Sequence, residues 1–196
     1  MTQIEIPGYT YGTDIVPRSP VSLAELELLR ATLLLGDDDR IALHRSSELL
    51  APRIEAILDV WYGFVGANPH LLAAFIGPDG QPDQEYLAAV RRRFGRWIFD
   101  TAWAEYDQAW LDYQHEIGLR HTRRGKNRTD GVQAADHILL RYVLALLVPI
   151  TTTMKPFLVE GGASPEEVEV MHQAWVKAVL LQLILWSQPY VRDGDF

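Results

Sequence analysis

The chain has no cysteine among its 196 residues. That excludes a disulfide framework, an iron–sulfur cluster and any cysteine-ligated zinc. A metal would have to be held by His, Asp or Glu, or through a prosthetic group. Positive charge is also short: 26 acidic against 18 basic residues leave a net charge of -8. Counterion release on nucleic acid needs a basic face, so no nucleic-acid partner is expected. The start, MTQIEIPGYTYG, lacks the cationic and apolar segments of a signal peptide. The longest apolar runs, Ile138 to Ile150 and Ala178 to Trp186, fall short of the ~20 residues of a membrane span, and Arg141 interrupts the first. A cytoplasmic protein without a membrane partner is expected. G-x-S-x-G, Walker, G-x-G-x-x-G and H-E-x-x-H patterns are all missing, as are repeats and low-complexity tracts.

What is present is an average globular composition, 48% hydrophobic and 22% charged, in a length that suits one domain with one core. Residues 1–20 are rich in Pro, Gly, Tyr and Thr without helical or strand period, and read as an extended arm that wraps a domain spanning 21–196. Helical patterning follows throughout. Ser22 is placed to cap a first helix that ends at Gly36, and Asp37 to Asp39 supply acidic charge for the start of a second. Pro52 closes the second helix and opens a third, in which Ile54, Ile57, Leu58, Trp61, Tyr62 and Val65 form one apolar face. After a turn at 77–80, a helix carries Tyr86, Val90, Phe94, Trp97 and Ile98 on one side, with Arg91 to Arg93 on its flank. Another runs from Tyr106 to His121 and ends in the loop TRRGKNRTDG. The last two helices, about 136–160 and 165–188, are apolar almost all round, and Ser164-Pro165-Glu166-Glu167 gives the second its cap. Helices apolar on every side need cover on every side, which a second copy of the chain would provide.

Histidine is the most informative residue type. His115 and His121 are six apart, about 240° round a helix, so they cannot share one ion. His44, His70, His137 and His172 are scattered and read as surface or core residues. His121 follows Trp110, Gln114 and Ile117 at steps of four, three and four, which puts it on an inward face. A core histidine is the simpler reading of that pattern. A ligand is the alternative if Nδ1–H bonds a carbonyl one turn back, near Ile117, leaving Nε2 free. Trp61, Tyr62 and Phe94 are equally compatible with ordinary core, although a buried Tyr62 hydroxyl needs a partner. The cations Arg120, Arg123, Arg124, Lys126 and Arg128 read mostly as a solvated helix end, which a carboxylate-bearing cofactor could also use.

The segments IPGYTYG, ILDVWYGFVGANPHLL, EYLAAVRRRFGRWIFDT, YDQAWLDYQHEIGLRH, PITTTMKPF, SPEEVEVMHQAW and LWSQPYVRDGDF together resemble the protoglobins, single-domain haem proteins related to the sensor domain of globin-coupled sensors. The likeness runs from about Ile6 to Phe196. It implies an all-α, three-over-three globin fold with an extra N-terminal helix and no D helix. It further implies an N-terminal arm covering a buried haem b, and a homodimer formed through the last two helices. His121 matches the proximal iron ligand, and Trp61, Tyr62 and Phe94 match the distal aromatic set. Apolar tunnels of the family would pass Trp61, Phe94, Leu146 and Ile150, and Arg93 is a candidate partner for a haem propionate. The chain departs from its relatives at Thr122, often a second histidine, and at Leu146, often a phenylalanine.

The implied function is reversible binding of O2, CO or NO at a five-coordinate haem iron. The alternatives are nitric oxide dioxygenase, nitrite or peroxide chemistry, non-natural carbene transfer, and gas sensing through a partner protein. No histidine or arginine is expected on the Trp61–Tyr62 face, which disfavours a dedicated peroxidase. With about ten residues after the last helix, no output domain is expected.

Overall fold

A computed structural model describes residues 6–196, so the first five positions of the expected arm lie outside it. Ser22 opens α1 (Leu23–Thr32): its hydroxyl accepts the Glu25 N–H, and the Glu25 carboxylate accepts the Ser22 N–H. The helix stops at Thr32 rather than Gly36, because Leu34 turns the chain through a positive φ of 54°. Gly36 belongs instead to the start of α2 (Asp37–Leu50), where the Asp39 carboxylate accepts its N–H at 2.9 Å. Pro52 sits in a 3-10 turn, Ala51–Arg53, that leads directly into α3 (Ile54–Ala67). A short α4 (Pro69–Leu72) and a tight turn then precede α5 (Gln84–Ala102), capped by Asp83.

The next helix, α6 (Gln108–His121), begins two residues later than its apolar pattern predicts. Tyr106 is held at a φ of 54° beneath the Arg30 guanidinium, and Asp107 takes the cap position by accepting the Trp110 N–H at 2.8 Å. The helix expected over 136–160 is in fact a loop and two pieces, α7 (Leu140–Ala145) and α8 (Leu147–Glu160), separated at Leu146. Pro149 explains the break. It has no N–H to give the Ala145 carbonyl, and its ring collides with that group in a continuous helix. Upstream, the Ile138 N–H donates to the His121 carbonyl at 2.8 Å, which ties the loop to the end of α6. Finally α9 (Pro165–Ser187) carries the predicted capping box on Ser164 and Glu167.

The architecture is all-helical, with no strand among the described residues. α9 runs through the middle and packs on α2, α6 and α8, while α3 packs on α5 and α8. Two helical stretches, Leu140–Glu160 and Pro165–Tyr190, are long and apolar enough by length and composition to cross a membrane. This corrects the shorter runs read from the sequence, because Arg141 and Lys177 are too few to break a long window. Here α9 is a core helix, with Trp175, Val179 and Leu181 fully buried. The same two helices leave Leu144, Val148, Val159 and Val170 exposed.

Two helical glycines set the approach of neighbouring elements, with opposite consequences for substitution. A Cβ on Gly118 would lie 3.1 Å from the Trp186 Cα and 3.2 Å from its carbonyl oxygen, so α6 and α9 would have to move apart. A Cβ on Gly95 would meet only the tips of Leu58 at 3.2 Å and Ile54 at 3.4 Å. Gly118→Ala is therefore expected to destabilise by about 1–3 kcal/mol. Gly95→Ala is expected to be neutral or up to about 1 kcal/mol stabilising, through helix propensity. Urea midpoints at unchanged slope test the contrast, and equal shifts for the two variants would refute it.

Candidate functional site

A cavity of about 500 Å³ opens between α3, α5, α6 and the α7–α8 break, within the size range of ligand sites, roughly 300–1,000 Å³. Its apolar wall follows from helical spacing. Trp61 on α3 lies against Phe94 on α5, ring centroids 5.4 Å apart, and Phe94 stacks on Trp97 at 5.1 Å and 10°. The broken helix contributes Leu146 and, one turn on, Ile150. Tyr62, Arg93 and His121 complete the set, so all seven residues singled out in the sequence line one cavity.

His121 is held from four sides. Its Nδ1 lies 2.7 Å from the Ile117 carbonyl. Since a carbonyl can only accept, Nδ1 carries the proton and Nε2 keeps its lone pair. The ring stacks on Trp186 at 5.4 Å and 18°, and Trp186 is itself fixed by donating Nε1–H to Gln114 at 2.9 Å. The backbone carbonyl of His121 receives the Ile138 N–H and lies 2.9 Å from the Tyr190 hydroxyl, which is also 2.7 Å from the Ile138 carbonyl. Burial is the main cause that holds the imidazole pKa below its ordinary range, so it stays neutral at pH 7. A neutral imidazole with a fixed tautomer is a competent metal ligand. Among the described residues, no three His, Cys, Asp or Glu side chains gather round a common point. An imidazole on a large apolar cavity, with no such cluster beside it among the described residues, therefore suits a metal carried by a prosthetic group.

Tyr62 lines the cavity from α3, and burial raises the pKa of its phenol far above the usual range. It remains a protonated donor at every working pH. Among the described residues, no hydrogen bond to another group contributes to that shift.

One end of the cavity is polar, and the sequence does not foretell how. Arg93 makes a bidentate pair with Asp130 at 2.9 and 2.6 Å and also donates to the Pro7 carbonyl at 2.8 Å. Arg120 pairs with Glu116 and donates to the Gly8 carbonyl, both at 2.7 Å. Lys126 is not the solvated cation that its loop suggests: it is 4% exposed, and Nζ donates to the Ala74 carbonyl at 2.9 Å and the Tyr86 hydroxyl at 2.7 Å. Desolvation pulls its pKa down to about 8. Only the mixture of aromatics at 75 and 86 with a cation in the following loop hints at this contact, and sequence distance hides it. His70 and His137, read from the sequence as surface or core, also line the cavity, His70 from an exposed position. His115 does not line it.

Residues 22–196 match the family model described as Protoglobin. The structure is similar to the globin domain of a Geobacter sulfurreducens globin-coupled sensor, with a TM-score of 0.65 and 18% identity over 85% of this chain and 97% of that one. At that identity the match establishes the fold alone, which is a globin fold, as the resemblance implied. No curated protein matches the chain.

The depressed Lys126 pKa has a signed consequence for the protein without a cofactor. Between pH 8 and the ordinary 10.5, the unfolded chain binds more protons at this position than the folded one. Stability from this group therefore rises with pH through that window. The unfolding free energy of wild type minus that of Lys126→Met should increase by about 1–3 kcal/mol from pH 8 to 10.5. A flat difference in denaturant titrations across that range would refute it.

Proposed function

The chain belongs to the protoglobin family, and from that premise we propose that its cavity would hold haem b through the His121 imidazole, and that the protein binds O2, CO and NO reversibly. The observation that carries this reading is the His121 imidazole: neutral, desolvated, proton fixed on Nδ1, and set on the wall of an apolar cavity. The residues present fit the group. A flat macrocycle suits the stacked Trp61–Phe94–Trp97 wall, and cations at the polar end suit its carboxylates. Haem supplies the iron at which a diatomic gas coordinates.

The remaining work falls to the side chains. His121 would hold the metal with an imidazole whose basicity is raised by the Ile117 carbonyl. Trp61 and Phe94 keep water from the site and dry the local dielectric. Tyr62 offers a hydroxyl to a ligand that carries partial negative charge, which O2 does far more than CO. Leu146 and Ile150, on the interrupted helix, set the width of an apolar path for gases. Arg93 already serves Asp130 and the arm, so any hydrogen bond it gives a cofactor carboxylate is a shared one. The exposed Leu144, Val148, Val159 and Val170 give the last helices an apolar face suited to a homodimer. A cytoplasmic setting suits the cysteine-free composition.

Purified protein should carry one haem per chain and show distinct ferrous spectra with O2, CO and NO. His121→Gly should lose the five-coordinate ferrous spectrum and regain it with added imidazole, whereas an unchanged ferrous–CO complex in this variant would overturn the ligand assignment. Tyr62→Phe should speed O2 dissociation about tenfold, the worth of one hydrogen bond of about 1.4 kcal/mol. Its CO dissociation should change less than about twofold, so equal effects in flash photolysis would remove Tyr62 from this role.

A further inference from the structure

The charges round the polar end of the cavity do not balance, and the imbalance falls on one residue. Arg120 is matched by Glu116 at 2.7 Å, Arg96 by Asp100 at 2.8 Å, and Asp136, which also lines the cavity, is taken by Arg123 at 2.9 Å. Arg93 and Lys126 share a single acid, Asp130, and both Asp130 oxygens are committed to Arg93. Among the described residues, Lys126 has two neutral acceptors, Ala74 O and Tyr86 Oη, and no carboxylate within ion-pair distance. An ammonium carries three N–H donors, so one is left over. A buried cation short of both a countercharge and an acceptor is costly, yet this one lines a cavity.

We propose that Lys126 is the anion anchor of the cavity, giving its third N–H and its charge to a carboxylate of the bound group. The proposal rests on the haem reading, because the carboxylates of haem b are the ones available there. A single excess positive charge matches one carboxylate. The site is built rather than incidental. Nζ stands 4.6 Å over the Tyr86 ring, which has no freedom to swing away, being 5% exposed and packed on Phe75 at 5.3 Å. Arg93 acts as a positioning residue, holding Asp130 so that the acid cannot move over to Lys126 and quench it. Burial lowers the ammonium pKa in the protein alone, and a bound carboxylate would restore it.

The test compares ferric protoporphyrin IX with its dimethyl ester, in which both carboxylates are masked. Each is loaded into wild type, Lys126→Met and Lys126→Gln, and its loss to an excess of an acceptor apoglobin is timed by absorbance. Wild type should lose the ester about tenfold faster than the free acid. In both variants the free acid should leave about tenfold faster than from wild type, and the ester-to-acid ratio should collapse towards one, since either change removes the same interaction. Lys126→Gln keeps a donor for the Ala74 carbonyl and serves if the methionine variant does not fold. A ratio in the variants equal to that of wild type would overturn the proposal and leave the haem reading standing. Failure of wild type to retain either porphyrin would overturn both.

Discussion

The site depends on one hydrogen bond, from His121 Nδ1–H to the Ile117 carbonyl at 2.7 Å. It is made within the last turn of α6, across a single helical step of four residues, so the helix that carries the ring also chooses its tautomer. Everything near it reinforces the choice. Trp186 lies flat against the ring, and Tyr190 and Ile138 hold the backbone on the other side. The indole is free to take that position because Gly118 lets α6 meet the α9 backbone without a Cβ between them. Under the proposed function the ligand set is this one residue, and such over-determination is what a single ligand would need.

The rest of the cavity follows from an interruption. A continuous helix through Leu146 would carry regular packing across the space where the cavity opens, and Pro149 prevents it. Leu146 and Ile150, at and after the break, line the same cavity as Trp61 and Phe94, and so do the polar groups Arg93, Arg120 and Lys126. The neutral His121 sits in low dielectric, where burial first and then the positive charges of Lys126 and Arg120 disfavour its protonated form.

Much of this arrangement is legible in the sequence, for reasons that differ by residue. Period and capping chemistry place α3 and α9 closely, because Pro52 and Ser164 act locally. The inward face of α6 is legible for the same reason, as is the bond to Ile117, which spans a single turn. The ends of α1 and α6 are not, because Leu34 and Tyr106 adopt a positive φ that no propensity for those residues predicts. The break at Leu146 was hidden by an apolar run that reads as unbroken helix even with Pro149 inside it. Lys126 is the largest departure. A loop lysine among four other cations reads as solvated, and only the fold brings it beneath Tyr86, forty residues away in sequence. Membership in the family supplies the cofactor, which neither period nor charge could name.

The arm is fastened by the same side chains that line the cavity. Arg93 holds the Pro7 carbonyl, Arg120 holds the Gly8 carbonyl and the Thr10 hydroxyl, and Tyr9 donates to Asp100 at 2.8 Å. Gly8, at a φ of 73°, is required at the centre of this fastening, since a Cβ there would lie 2.6 Å from the Arg93 guanidinium. Each clamp faces the arm on one side and the cavity on the other. An occupant that draws on Arg93 or Arg120 must therefore share them with the arm, and one that leaves them alone keeps the arm in place. A carboxylate taken by Lys126, whose hydrogen bonds go to Ala74 and Tyr86 and not to the arm, would leave those two guanidinium groups to the arm.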